Sequence, residues 1–222
     1  QPPDSDFTNE ELNTSKSSKK LQPKLKGRIV LDNVSFGFDS LATPVVQDIS
    51  FSMEEKAVTA LVGPVGSGKT TIAKLVSGLY RPWEGDIYYD DIHKEFLSRE
   101  RLSKSLAFID QAVFLFEGSL KDNVTLWDAS ISDAAIIKAA KDACIHDEIV
   151  SRQAAYNDHL SEAAVNLSLG QRQRIEIARA LLLNPSIIVM DEVARSIDVI
   201  TEKAIIRNAR RRGISCLMVC HR

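Results

Sequence analysis

Residues 58 to 71 read VTALVGPVGSGKTT. The short continuous apolar run from Val58 to Val62 is the pattern of a strand buried on both faces. It passes directly into Gly63-Pro64-Val65-Gly66-Ser67-Gly68-Lys69-Thr70, which fits GxxxxGK[ST] in full, and TTIAKLVSGLY, from Thr70 and Thr71 onward, reads as a helix. Glycines at this spacing let backbone N–H groups turn inward around the β- and γ-phosphates of a nucleotide, while the helix offers its positive end. Lys69 is placed to neutralise phosphate charge and the Thr70 hydroxyl to ligate Mg2+. A chance glycine turn before a helix is the plain alternative, and the strand on one side with the helix on the other argues against it.

Three more runs of the same kind follow: LAFID (106 to 110), IIVMD (187 to 191) and ISCLMVC (214 to 220). Between them lie the helical stretches SDAAIIKAAKDACI and QRQRIEIARALLL. Strands alternating with helices imply a mainly parallel sheet with crossover helices. Upstream, GRIVLDNVSFGF and VVQDISFSM suit half-buried antiparallel strands, with Ile49, Phe51 and Met53 alternating with Ser50 and Ser52.

Each continuous run ends in chemistry: the loop at Gly63, then Gln111, then Asp191 with Glu192, then His221. In open α/β sheets ligands bind outside the carboxyl ends of the strands, so four strand ends are expected to face one site. An acidic residue ending a buried strand is costly unless paired or coordinated. Asp191 is suited to hold Mg2+ through water or Thr70, and Glu192 to polarise an attacking water. Gln111 could bring its amide to Mg2+ or the water. His221 could contact the γ-phosphate, although a histidine by itself is more often an ordinary surface or core residue.

The 222 residues suffice for one generous α/β domain or two small ones, and 44% hydrophobic residues allow a substantial core. A net charge of −2 argues against a dedicated nucleic-acid binder. The run Arg207, Arg210, Arg211 and Arg212 reads as a solvated helix face before it reads as a phosphate or lipid contact. Cys144, Cys216 and Cys220 show no metal-ligand spacing, and the latter two sit in an apolar run as core residues do, which suits a reducing compartment. Residues 1 to 26 are polar and read as a linker or tail.

One segment remains, NLSLGQRQRIEIARAL from Asn166. It resembles the LSGGQ signature and following helix of the nucleotide-binding domains of ATP-binding cassette (ABC) transporters, and with the motifs above the resemblance covers residues 27 to 222. It implies a P-loop NTPase of the ABC ATPase type, with a mainly parallel core sheet, an antiparallel β subdomain and an α-helical subdomain over about 112–176. It implies ATP and Mg2+ as ligands and ATP hydrolysis as the activity. By resemblance Phe38 falls where an aromatic ring stacks on adenine, Gln111 is the Q-loop glutamine and Asp198 the D-loop aspartate. Two such domains sandwich two ATP molecules head to tail. Leu167, Ser168, Leu169, Gly170 and Gln171 would then complete the partner's site rather than their own.

The chain departs from the family pattern in several places. Leu169 stands where the first signature glycine is usual, Ala163 and Ala164 replace two glycines in SEAAVNLSLGQ, and VARSID replaces the common ATSALD, so that Arg195 and Ser196 stand for small residues. These departures suggest complete cis groups with a non-standard trans half, as in a heterodimer with one impaired site. QAVFLFEGSLKDN resembles the exporter Q-loop segment, with Glu162 also matching. The polar start suits a linker from a membrane domain of the same polypeptide. The expectation is an exporter domain at the cytoplasmic face of the membrane, most like those for peptides or bacteriocin-like products, with its C-terminal end truncated and a second nucleotide-binding domain as partner. A soluble ABC ATPase working on DNA or ribosomes is the competing reading, and its usual paired cassettes and basic surface are not seen. A regulatory cassette without turnover is the other.

Overall fold

The alternating residues of the first third build an antiparallel sheet. In a computed structural model, which describes residues 22–39, 42–161 and 166–220, strand β1 (Ile29–Phe36) lies between β2 (Val46–Met53) and β4 (Glu84–Tyr89), with β5 (Ile92–His93) outside β4. Ile29 opposes Met53 on one side and Tyr89 on the other, so one face of the sheet is apolar and buried. The register shifts between Leu31 and Val34, where Asn33 takes a left-handed conformation with φ 49°. Such a bulge bends the strand.

The second sheet is parallel throughout, in the order β3 (Val58–Val62), β10 (Ser215–Cys220), β9 (Ile187–Asp191), β6 (Leu106–Ile109). The two central strands are buried on both faces, as their continuous apolar runs require. Ile187, Val189, Leu217 and Val219 pack with Ile72, Ala73, Leu75 and Val76 of helix α1 (Lys69–Val76). Their neighbours Ile188, Met190, Cys216 and Met218 face the other way, into a core with Ile175, Ile177 and Leu181 of α6 (Leu169–Leu182) and Ile205 and Ala209 of α7 (Val199–Arg211). Each large side chain buried there contributes about 1.5–3 kcal/mol. Burial also pushes the Cys216 thiol up to about 11, as suits a packing residue. Tyr89 ties the two sheets together: its hydroxyl donates to Val76 O at the end of α1.

Two expectations need correction. The run Val58 to Val62 is not buried on both faces: β3 is bonded only to β10 in this sheet, and Val62 is 61% exposed. An apolar run reports strand character but not how many neighbours the strand has. The polar tail also ends earlier than residue 26. Leu25 is 2% exposed, its N–H donates to Ser105 Oγ, and Lys24 Nζ donates to Leu183 O and Asn184 O.

Short serine-capped helices fill the middle of the chain. α2 (Arg99–Ser105), α3 (Leu120–Thr125), α4 (Asp133–Asp142) and α6 start at Ser98, Ser119, Ser132 and Ser168, each hydroxyl accepting a first-turn N–H. With α5 (His146–Val150) and the small ribbon of β7 (Gly118–Ser119) and β8 (His159–Leu160), α3, α4 and α6 form a helical layer in which α3 and α4 pack on α6, while α2 packs beside β6. Of the arginine run, Arg207, Arg210 and Arg211 are exposed, whereas Arg212 pairs with Asp142.

Candidate active site

Parallel register gathers the strand ends. Val62 pairs with Cys220, Val219 with Asp191, and Met190 with Ile109, so Gly63, Asp191 and the Asp110-Gln111 segment leave the sheet along one edge. From that edge the chain turns through the glycine loop into α1. Gly66 and Gly68 have φ of +81° and +84°, which favours glycine, and a Cβ at Gly66 would meet nothing within 4 Å. α1 begins at Gly68 with no side-chain cap, so its first N–H groups are left for another acceptor. Lys69 is buried, and its ammonium donates to Gly63 O at 2.9 Å and Pro64 O at 2.8 Å.

One residue on, Thr70 Oγ1 donates to Asp191 Oδ1 at 3.1 Å, linking the loop to the end of β9. Asp191 is 2% exposed. Burial pushes its carboxyl above the usual carboxylate range; the bond from Thr70 opposes this, and the charges of Asp110 and Glu192 add to it. A buried carboxylate beside a hydroxyl, in a field of other carboxylates, is the donor set a hard divalent cation takes. An uncapped helix start with a buried lysine is what a phosphate chain takes. The residues therefore fit a nucleoside triphosphate with Mg2+.

Glu192 follows in a left-handed conformation, φ 52°, which costs a non-glycine residue about 1–3 kcal/mol and is typical of functional turns. Its carboxylate lies 2.9 Å from Arg195 Nη1. Gln111 is exposed just past β6. Phe38 is exposed and packs edge-on to Phe36 and Tyr80, with ring centroids 5.4 and 5.8 Å away. The segment carrying it flanks the loop: Val45 donates to Phe36 O, and Val45 O lies 3.1 Å from where a Cβ on Gly68 would stand. His221, Glu162, Ala163 and Ala164 lie outside the described residues.

The second loop is built differently. Ser168 Oγ accepts from Gln171 N while Gln171 Oε1 accepts from Ser168 N, a reciprocal cap on α6. Gln171 Nε2 also donates to Glu148 Oε2, and Arg174 Nη1 to Glu148 Oε1. Leu167 is buried and Leu169 is 53% exposed. Gly170 touches the turn after Glu192: a Cβ there would sit 2.5 Å from Ser196 O. Asp198 accepts from Ile200 N and Thr201 N, starting α7, and the hydrogen bonds from Thr201 hold its carboxyl below the usual range.

The family model described as ABC transporter matches residues 46–195. The chain belongs to the ABC transporter family. It is an ATPase domain of that family, with the same P-loop fold. Antigen peptide transporter 2 of Rattus norvegicus is 35% identical over 201 residues, covering 90% of this chain and 29% of that protein. The beta-(1-->2)glucan export ATP-binding/permease protein of Bartonella bacilliformis is 37% identical over 180 residues, covering 81% of this chain and 30% of that protein. A bacterial Atm1-family ABC exporter with ATP bound superposes with a TM-score of 0.83 at 32% identity, over 90% of this chain and 35% of that one. The chain thus spans about a third of the length of the proteins it matches.

In this ABC domain several side chains around the site escaped the sequence reading. Gln173, one turn into α6, donates to Asp110 O and joins the signature helix to the sheet edge. Buried Arg179 donates to Phe114 O, to Asn123 O and to Asn123 Oδ1. Asn123 in turn holds both the N–H and the C=O of Phe116. The effect is to present Phe114, 76% exposed, together with Phe116, Leu126 and Trp127, all exposed. Leu115, between the two phenylalanines, is buried. Arg179 also pairs with Glu176, and that i,i+3 spacing of opposite charges was the available signal. No helix among the described residues is long and apolar enough to cross a membrane.

Proposed function

We propose that this chain is the ATP-driven motor domain of a membrane exporter, in which ATP binding closes a dimer and hydrolysis reopens it. The observation that carries this reading is the Thr70–Asp191 bond, which joins the glycine loop to a neighbouring strand end beside an uncapped helix start. Gly63 to Thr71 would cradle the phosphates, Lys69 exchanging its loop carbonyls for phosphate oxygens. Thr70, Asp191 and Gln111 would hold Mg2+, which supplies charge neutralisation between the phosphates when bound. Glu192 would take the proton of the attacking water, His221 would contact the γ-phosphate, and Phe38 would stack on the adenine.

Leu167 to Gln171 would complete the nucleotide site of a second such domain, identical or different, with Asp198 on the adjoining turn. Membrane-spanning domains of the same polypeptide are the other partner, and the exposed Phe114, Phe116, Leu126 and Trp127 patch supports a docking role. That arrangement puts the domain at the cytoplasmic face of the cell membrane. For cargo, the likeness to a peptide transporter supports a peptide, bacteriocin-like products included, while the likeness to a glucan exporter does not favour it. The test is ATP turnover by the intact protein that carries this chain. Glu192→Gln should lower kcat about 100-fold or more, and unchanged turnover would remove Glu192 as the base.

Leu169 favours a second reading, a cassette that binds ATP but serves one impaired site of a heterodimer. Its side chain is exposed and on this reading would lie on the surface offered to the partner's nucleotide. On this reading Leu169→Gly in the intact protein raises turnover several-fold; no change would leave both sites competent as they are.

A further inference from the structure

Arg195 is a cation beside the site, among the described residues, that the proposed chemistry leaves unused. It closes the 3-10 turn Val193–Arg195 that follows Glu192, and its Nη1 lies 2.9 Å from Glu192 Oε2. The two halves of the pair differ in surroundings: the glutamate side chain is 12% exposed and the arginine 57%. With the guanidinium largely exposed, the pair is held by charge at the edge of solvent and can open. Across the adjoining segment, Gly170 of the signature loop packs on Ser196 O. The turn bearing Arg195 is therefore in touch with the loop offered to a partner domain.

A general base must lie about 2.6–3.2 Å from the proton it takes, and a carboxylate oxygen turned toward a guanidinium is not turned toward a water. We infer that Arg195 is a positioning residue that parks the Glu192 carboxylate in the open domain, and that its departure when the nucleotide site assembles is a step preceding proton transfer. This rests on Glu192 being the base. The family pattern commonly has a small residue at position 195, so the parked state belongs to this chain's own sequence.

The experiment is steady-state ATP turnover by the intact protein, comparing wild type with Arg195→Ser, Arg195→Lys and Glu192→Gln. Arg195→Ser should raise kcat about two- to five-fold, the size expected from releasing one largely exposed ion pair, and leave KM for ATP unchanged. Arg195→Lys keeps the charge and should stay near wild type. In the Glu192→Gln background Arg195→Ser should have no effect on the residual rate. A kcat that is unchanged or lower in Arg195→Ser, with Glu192→Gln inactive, overturns the role of Arg195 and leaves the base assignment standing. Turnover that survives Glu192→Gln overturns both. Should Arg195→Ser fail to fold, as judged by its thermal melt, Arg195→Gln makes the same comparison with nearly native volume.

Discussion

The two glycine-bearing loops both open a helix, and they leave that helix in opposite states. α1 starts on Gly68 with no side chain over its first turn. α6 starts on Ser168 with both members of a reciprocal cap in place. A helix start costs stability when its N–H groups have no acceptor, so the first loop leaves its N–H groups to water or an anion, whereas the second is finished by its own chain. The lysine fits the same contrast: Lys69 donates to loop carbonyls, bonds that phosphate oxygens would replace on the function proposed above. The outward surface of the second loop carries Leu169, which is exposed.

The sharpest way to break this contrast is Lys69→Ala. It should lower kcat/KM for ATP about 100-fold or more, through loss of charge-assisted bonds to phosphate, with little change in the melting temperature of the nucleotide-free protein. A large loss of stability instead would make Lys69 a structural residue. At the second loop the order of effects reverses. Gly170→Ala forces a Cβ toward Ser196 O at 2.5 Å, and such overpacking costs about 1–3 kcal/mol. For a chain of this size that lowers Tm by about 2–12 °C, measurable by thermal denaturation without nucleotide. An unchanged Tm would mean the turn after Glu192 moves aside freely.

The smallest expected effect is electrostatic. Glu148 is partly buried, which by itself raises its carboxyl, but the hydrogen bonds from Arg174 and Gln171 outweigh this and hold it below the usual range. A depressed carboxyl stabilises the fold fully above its unfolded value and loses that contribution as pH falls through the folded one. Glu148→Gln should therefore lower Tm at pH 7, with the gap closing at acid pH. The side chain is 44% exposed, so screening keeps the effect to about 1 kcal/mol or less, a few degrees at most. A gap that does not vary with pH would mean the charge of Glu148 is immaterial to the start of α6.

The sequence made the first loop legible because its information is local: strand, glycines, lysine and helix follow one another, and the carboxylates end an apolar run. The strands of the parallel sheet, and β1 and β2 of the antiparallel one, are legible for the same reason, whereas β4 and β5 carry no comparable pattern. The number of neighbours a strand has is not local, and β3 was misjudged on that account. The clamp of Glu148 on Gln171 and Arg174 joins residues more than twenty positions apart, and the bond from Gln173 to Asp110 O spans 63. No periodicity announces such pairs. Leu25 was absorbed into a polar tail because one apolar residue among lysines and prolines carries little pattern. The Glu192–Arg195 pair is local, its partners three residues apart, yet the turn sequence by itself shows only a departure from the family pattern.

α6 runs without a break from the cap at Ser168 to beyond Arg179, about 17 Å along its axis. At one end it carries the surface that includes Leu169. Near the other, Arg179 grips the backbone beneath Phe114 and Phe116. A rod of that kind has almost no compliance along its length, so a displacement at one end is carried to the other. On the proposed function, motion at the nucleotide seam and at the aromatic patch would be coupled, in a ratio set by where a single helix pivots.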